Sequence, residues 1–159
     1  MSEVTPVMTY QDIEKILPHR YPFLLIDRVD ELHPGEDPTA RFGRKIRAIK
    51  NVTATEPHFT GHFPHWKVMP GVLQIEAMAQ ACALCCYLPG DEGMDVVIVS
   101  VDKARFRVPV VPGDTLEVHC EIIKERSLMF GAKAEIFVRG KKVSEAEILA
   151  RVFPGGKQD

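Results

Sequence analysis

The stretch over residues 69–88, MPGVLQIEAMAQACALCCYL, constrains this chain more than any other. Pro70 stands at its start and Pro89-Gly90 follows its end, a pair of helix boundary signals. About twenty residues in helical form make a rod of about 30 Å. Only Gln74, Glu76 and Gln80 interrupt its small or apolar surface, so the pattern predicts a helix buried nearly all round. A rod of that length also matches a membrane span. Three polar side chains near its middle, one of them ionisable, and a strand-rich remainder point instead to a helix inside a globular core, with no membrane span.

The remainder supplies the wrapping. Residues 24–32 and 39–52 flank His33-Pro34-Gly35-Glu36-Asp37-Pro38, the signature of a hairpin. Residues 95–111 contain the run VVIVSV, and Val111-Pro112-Gly113-Asp114 turns the chain into residues 115–125. Residues 128–138 and 143–153 follow, separated by Arg139-Gly140-Lys141-Lys142. The chain after the helix is thus expected to be mostly an antiparallel meander. A short helix over residues 10–16, with Thr9 as N-cap, precedes everything. No linker or repeat is visible, so the expectation is one α+β domain over residues 1–159 in which a sheet wraps the helix.

Composition narrows the classes of partner. The chain has 159 residues, a formal net charge of -2 and a pI near 6.3. That balance excludes a domain held to nucleic acid by overall charge. The first fifteen residues hold three acids and no continuous apolar stretch, so they read as no secretory signal and a cytoplasmic protein is expected. Four cysteines are too few for a disulfide scaffold. Cys82, Cys85 and Cys86 crowd into the apolar segment and are expected to be reduced core residues.

The chemistry-bearing region is residues 51–80, NVTATEPHFTGHFPHWKVMPGVLQIEAMAQ. His58, His62 and His65 lie in its loop, but Gly61 and Pro64 forbid the regular helix on which paired zinc histidines usually sit, so no metal is expected. Glu76 and Gln80 are four apart and share one helix face. Apolar surroundings disfavour the charged carboxylate, and a protonated glutamate can donate a proton. An imidazole such as His62, which titrates near neutrality, suits a base. Spacing alone leaves a second reading equally open, in which Glu76 is a satisfied buried carboxylate and His62 a packing residue of the loop.

Four blocks carry a resemblance. LPHRYPFLLIDRV from Leu17, GHFP from Gly61, MPGV from Met69 and EAMAQ from Glu76 closely resemble the bacterial β-hydroxyacyl-acyl carrier protein dehydratases of fatty-acid synthesis, FabZ type. Lys103-Ala104-Arg105-Phe106-Arg107 resembles a further block of that family. The resemblance implies a hotdog fold, an antiparallel sheet wrapped around a long central helix, with two subunits pairing into a continuous sheet. It places the catalytic pair on His62 and Glu76, taken from different subunits of a homodimer. It also places the Gly71 backbone N–H against the thioester carbonyl, where a helix start offers free donors. Phe63, Val72 and Phe106 would line the substrate tunnel, no cofactor would be needed, and a trimer of dimers is implied. Acyl carrier protein is the implied partner.

Lys103, Arg105 and Arg107 alternate along an expected strand, so they share a face while Ala104, Phe106 and Val108 take the other. A solvated strand face is the bland reading. Because acyl carrier proteins are acidic, the resemblance makes this stripe a docking surface. The chain departs from the family pattern at His65-Trp66-Lys67, where Gly-x-Pro usually follows GHFP, at Gln74 and at His58. Those departures leave access and chain-length preference open. A hotdog thioesterase, a dehydratase-isomerase and a non-catalytic acyl-binding module are the rivals, and Glu76 argues against the isomerase, which typically has aspartate there.

Overall fold

The computed structural model describes residues 5–155, so the ends of the expected domain, 1–4 and 156–159, lie outside the described residues. Helix α1 (Tyr10–Ile16) forms where expected. Thr9 caps it: its hydroxyl accepts from the Asp12 N–H at 3.4 Å while the Asp12 carboxylate accepts from the Thr9 N–H at 2.9 Å. This reciprocal pair satisfies two donors that a helix start otherwise leaves unmet. Ile13 turns into the core.

The central helix, α2 (Gly71–Cys86), is shorter than expected at both ends. Pro70 sits outside it with ψ 135°, and Tyr87 is already extended, two residues before Pro89. The helix end is tied down by Arg44, whose Nε donates to the Cys85 carbonyl at 2.7 Å and whose Nη2 donates to that of Tyr87 at 3.3 Å. Every residue from Gln80 to Cys86 is buried. The first turns are not: Val72 is 72% exposed, and Leu73, Ile75 and Glu76 are half-buried. Burial all round thus holds only for the second half of the helix. Among the described residues no helix is long and apolar enough to cross a membrane.

Six strands form one antiparallel sheet: β1 (Arg28–His33), β2 (Lys45–Asn51), β3 (Asp95–Phe106), β4 (Thr115–Arg126), β5 (Met129–Val138) and β6 (Lys141–Phe153), in the order β1-β2-β4-β5-β6-β3. Along β4 and β6 residues alternate between core and outer face, the period-2 pattern of a sheet with one buried side. Helix α2 lies on the buried face, most closely on β4. Met78 and Leu84 share the core with Leu116, Ile122, Phe130, Ile136 and Ile148. The four cysteines, Cys82, Cys85, Cys86 and Cys120, are buried there and free. Burial pushes the Cys86 and Cys120 thiols up, which keeps them in the inert protonated form.

Three expectations about the sheet are corrected. Residues 39–44 form turns rather than strand, and the second strand starts only at Lys45. Residues 24–27 are not strand, because the chain turns at Arg20, whose carbonyl accepts from Phe23 and Leu24, and the Leu25 N–H goes to the side chain of Gln80. The meander is confined to β4, β5 and β6. β3 pairs with β6, not with β4, and Pro112-Gly113 makes no hairpin. Pro109 and Pro112 lack the N–H that a ladder needs. The link between β3 and β4 instead crosses the molecule, with Met69 N–H on the Val110 carbonyl at 2.8 Å and Gly113 N–H on that of Val52 at 2.9 Å. β3 is therefore an edge strand, and it exposes Val97, Ile98 and Val99.

Candidate active site

Glu76 stands in the half-buried first part of α2, and its side chain is 18% exposed. Gln80, one turn on, donates from Nε2 to Glu76 Oε1 at 2.8 Å. The same amide is fixed by two backbone groups: its oxygen accepts from the Leu25 N–H at 2.9 Å, and Nε2 donates to the Phe23 carbonyl at 2.7 Å. The expected shared face of Glu76 and Gln80 is thus a hydrogen-bonded pair. His19 joins them, with Nε2 3.2 Å from Glu76 Oε1. Glu76, Gln80 and His19 open on a cleft of about 290 Å³, whose apolar wall includes Val96, Val97 and Ile98 of β3 and Ile148 of β6.

His62 lies elsewhere in the chain. It follows a short 3-10 turn, Pro57–Thr60, and its N–H closes that turn on the His58 carbonyl at 3.1 Å. The His62–Phe63 peptide is cis. His62 Nδ1 is 2.6 Å from the Val68 carbonyl. A carbonyl can only accept, so the Nδ1 proton is the donor and Nε2 of the neutral ring keeps a free lone pair. The ring stacks on Phe63 with centroids 3.9 Å apart. Residues 63 and 66 exchange backbone bonds, which closes the loop at the place where the family pattern is altered and leaves Trp66 exposed. His58 packs on Phe59, and burial holds its imidazole below the ordinary value. His62 is not among the residues lining the Glu76 cleft.

Gly71 opens α2, and its N–H has no backbone acceptor among the described residues. A side chain there would press on Phe106: a Cβ on Gly71 would stand 3.0 Å from the ring, which would have to give by a few tenths of an ångström. Glycine at 71 therefore lets the Phe106 ring lie against the helix start, although Phe106 remains 48% exposed. Phe63 and Val72 are also on the surface of the chain.

The basic stripe is less regular than its sequence suggests. A bulge between Asp102 and Arg105, with Lys103 at φ 52°, breaks the strict alternation. Lys103, Arg105 and Arg107 are nonetheless all exposed. Lys103 pairs with Glu147 at 2.9 Å and Arg107 pairs with Glu145. Arg105 has no carboxylate partner among the described residues; its Nη1 donates to the Ala104 carbonyl.

Sequence reading missed His19. It stands inside the LPHRYPF block, but nothing in the spacing of that block says that it reaches Glu76 across the fold.

One long helix cradled by a single antiparallel sheet, with an acid on the helix and an imidazole on the loop before it, defines a hotdog-fold domain. The fold is similar to a chain of the dehydratase heterocomplex ApeI:P from Xenorhabdus doucetiae, with a TM-score of 0.66 at 15% identity over 94% of this chain and 91% of that one. It is also similar to a hot-dog-like protein from Thermanaerovibrio acidaminovorans, with a TM-score of 0.57 at 15% identity over 73% of this chain and 85% of that one. Residues 17–147 match the family model described as the FabA-like domain. A protein of Agrobacterium fabrum named 3-hydroxyacyl-acyl-carrier-protein dehydratase FabZ is 47% identical over 147 residues, which cover 92% of this chain and 90% of that protein. A protein of the same name from Sinorhizobium fredii is 48% identical over 143 residues, covering 89% and 88%. The chain belongs to the FabA-like family and is of FabZ type.

Proposed function

We propose that this protein removes water from 3-hydroxyacyl thioesters carried on acyl carrier protein, giving trans-2-enoyl thioesters in fatty-acid synthesis. The observation that carries the reading is near-half identity, over about nine-tenths of both chains, with proteins named for that reaction. The site chemistry supports it. The C2 hydrogen is weakly acidic because the thioester carbonyl delocalises the developing charge. His62 Nε2 removes it as base, the Gly71 N–H receives the charge on the carbonyl oxygen, and Glu76 protonates the departing C3 hydroxyl, which leaves as water. Acid, base and oxyanion donor all come from the protein, so the reading requires no cofactor or metal.

The site is read as shared between two subunits of a homodimer, His62 from one and Glu76 from the other. Two features support this. The Glu76 cleft is lined without His62, and its wall runs onto the exposed apolar edge of β3, where a second copy can extend the sheet. Phe63, Val72 and Phe106, each exposed in the single chain, would then form the tunnel wall. Three such dimers would make the hexamer, and the working place would be the cytoplasm. Lys103, Arg105 and Arg107 are read as the docking surface for acyl carrier protein.

The test is hydration of an enoyl thioester by the purified protein. Loss of the enoyl absorbance without release of free thiol is expected. Thiol release would make the protein a thioesterase, and no change in either signal would make it a non-catalytic acyl-binding module.

A further inference from the structure

We propose that His19 is a positioning residue that holds the Glu76 carboxyl in place for proton donation. The inference rests on the reading of Glu76 as the acid. Oε1 of Glu76 faces two nitrogens, Nε2 of Gln80 at 2.8 Å and Nε2 of His19 at 3.2 Å. Oε2 has no partner among the described residues. A protonated carboxyl group has one oxygen that accepts and one that bears the hydrogen. The hydrogen bond from Gln80 makes Oε1 the accepting oxygen and leaves the transferable proton on Oε2, while the His19 ring stands against that same Oε1.

The contact is built into the fold. The Gln80 amide cannot be turned over, since Leu25 N–H must meet its oxygen and the Phe23 carbonyl must meet its nitrogen. The backbone at His19 is clamped by Arg20, whose guanidinium donates to the carbonyls of Glu14, Leu17 and His19 at 2.9, 3.0 and 2.6 Å. The His19 ring lies parallel to Phe23, with 14° between planes. Its Nδ1 is buried and has no partner. Proteins tolerate an unmet acceptor more readily than an unmet N–H. In the neutral ring the hydrogen therefore sits on Nε2, the nitrogen that stands 3.2 Å from Glu76. Between them, His19 and Gln80 leave Glu76 little rotational freedom, which is how a general acid is kept in its productive geometry.

The experiment measures steady-state dehydration by the full-length protein with His19 changed to Leu, Asn or Gln. Each change is made alone and in a Glu76→Gln background, with folding checked by circular dichroism and melting. His19→Leu removes the ring nitrogen that stands against Glu76, His19→Asn keeps an amide but cannot reach, and His19→Gln returns an amide nitrogen to the place of Nε2. The expected result is a fall in kcat of about 10- to 100-fold for Leu and Asn, the range a misplaced catalytic group produces. KM should stay within about twofold of wild type, because the contact acts on the chemical step rather than on binding. Gln should recover most of the loss, and in the Glu76→Gln background none of the three changes should lower the residual rate further. Wild-type kcat in folded His19→Asn, with Glu76→Gln inactive, overturns the positioning role alone. A loss that Gln shares equally, or that persists without Glu76, also overturns it and places His19 in packing. Full turnover by Glu76→Gln overturns the acid assignment itself, and the role of His19 with it.

Discussion

At the scale of residues, the proposed chemistry rests on two groups that the fold holds in opposite ways. Glu76 accepts from Gln80 through one oxygen, with His19 against that same oxygen at 3.2 Å, whereas His62 is held through Nδ1 and leaves Nε2 free. A carboxyl with one oxygen unengaged and an imidazole with one lone pair unengaged form a donor and an acceptor. His62→Ala and Glu76→Gln should each lower kcat by about 10² to 10⁴-fold, the usual contribution of a general acid or base. Both should melt within a few degrees of wild type, because neither side chain is a core residue. Near-normal turnover in either folded variant would remove that residue from the proposed chemistry. As candidates both stand out in the sequence, one as the single carboxylate in an apolar helix and the other as a histidine in the Gly- and Pro-rich loop before it, but spacing leaves a packing role for each equally open and the resemblance alone selects them. His19 does not stand out, because its partner is distant in sequence and only the turn at Arg20 brings the two together.

At the scale of elements, α1, β4 and β5 fall within a residue or so of their sequence signals, because caps, alternation and turns all mark their ends there. Helix α2 was legible in kind but not in length, since Pro70 and Pro89 set limits and the last turn depends on Arg44 from another part of the chain. The pairing of β3 was hidden. Alternation says which way a side chain faces and nothing about which strand lies alongside. Gln74 shows what the apolar pattern of α2 tolerates: it is buried, its Nε2 reaches the Met69 carbonyl only at 3.5 Å, and its oxygen has no partner among the described residues. A buried acceptor left unmet costs about 1–3 kcal/mol. Gln74→Met keeps the length and removes the unmet group, so thermal or urea unfolding should show a gain of about 1 kcal/mol. A loss of stability would show that the amide is matched in the assembled protein.

At the scale of the whole molecule, three surfaces need explanation: the apolar edge of β3, the half-exposed start of α2 and the stripe at Lys103, Arg105 and Arg107. The stripe is partly neutralised within the chain, which leaves Arg105 as its freest cation. Changing all three to Glu should raise KM for carrier-borne substrates far more than for short soluble thioesters, and the gap should narrow in high salt, where surface charges are screened. Equal losses for both substrates would exclude docking. The other two surfaces meet at one place. In the proposed dimer, a second copy seated on the β3 edge covers apolar strand, closes the wall of the Glu76 cleft and supplies His62. The most direct measurement of that arrangement mixes two inactive proteins, His62→Ala and Glu76→Gln, under conditions that let subunits exchange, and follows turnover with mixed dimers isolated by two tags. A shared site puts both lesions in one of the two sites of a mixed dimer and leaves the other intact, so isolated mixed dimers should show roughly half of wild-type activity and the unfractionated random mixture roughly a quarter, counting sites under twofold symmetry. If mixed dimers, verified as folded, stay at the background of the single variants, His62 and Glu76 do not meet across the subunit boundary.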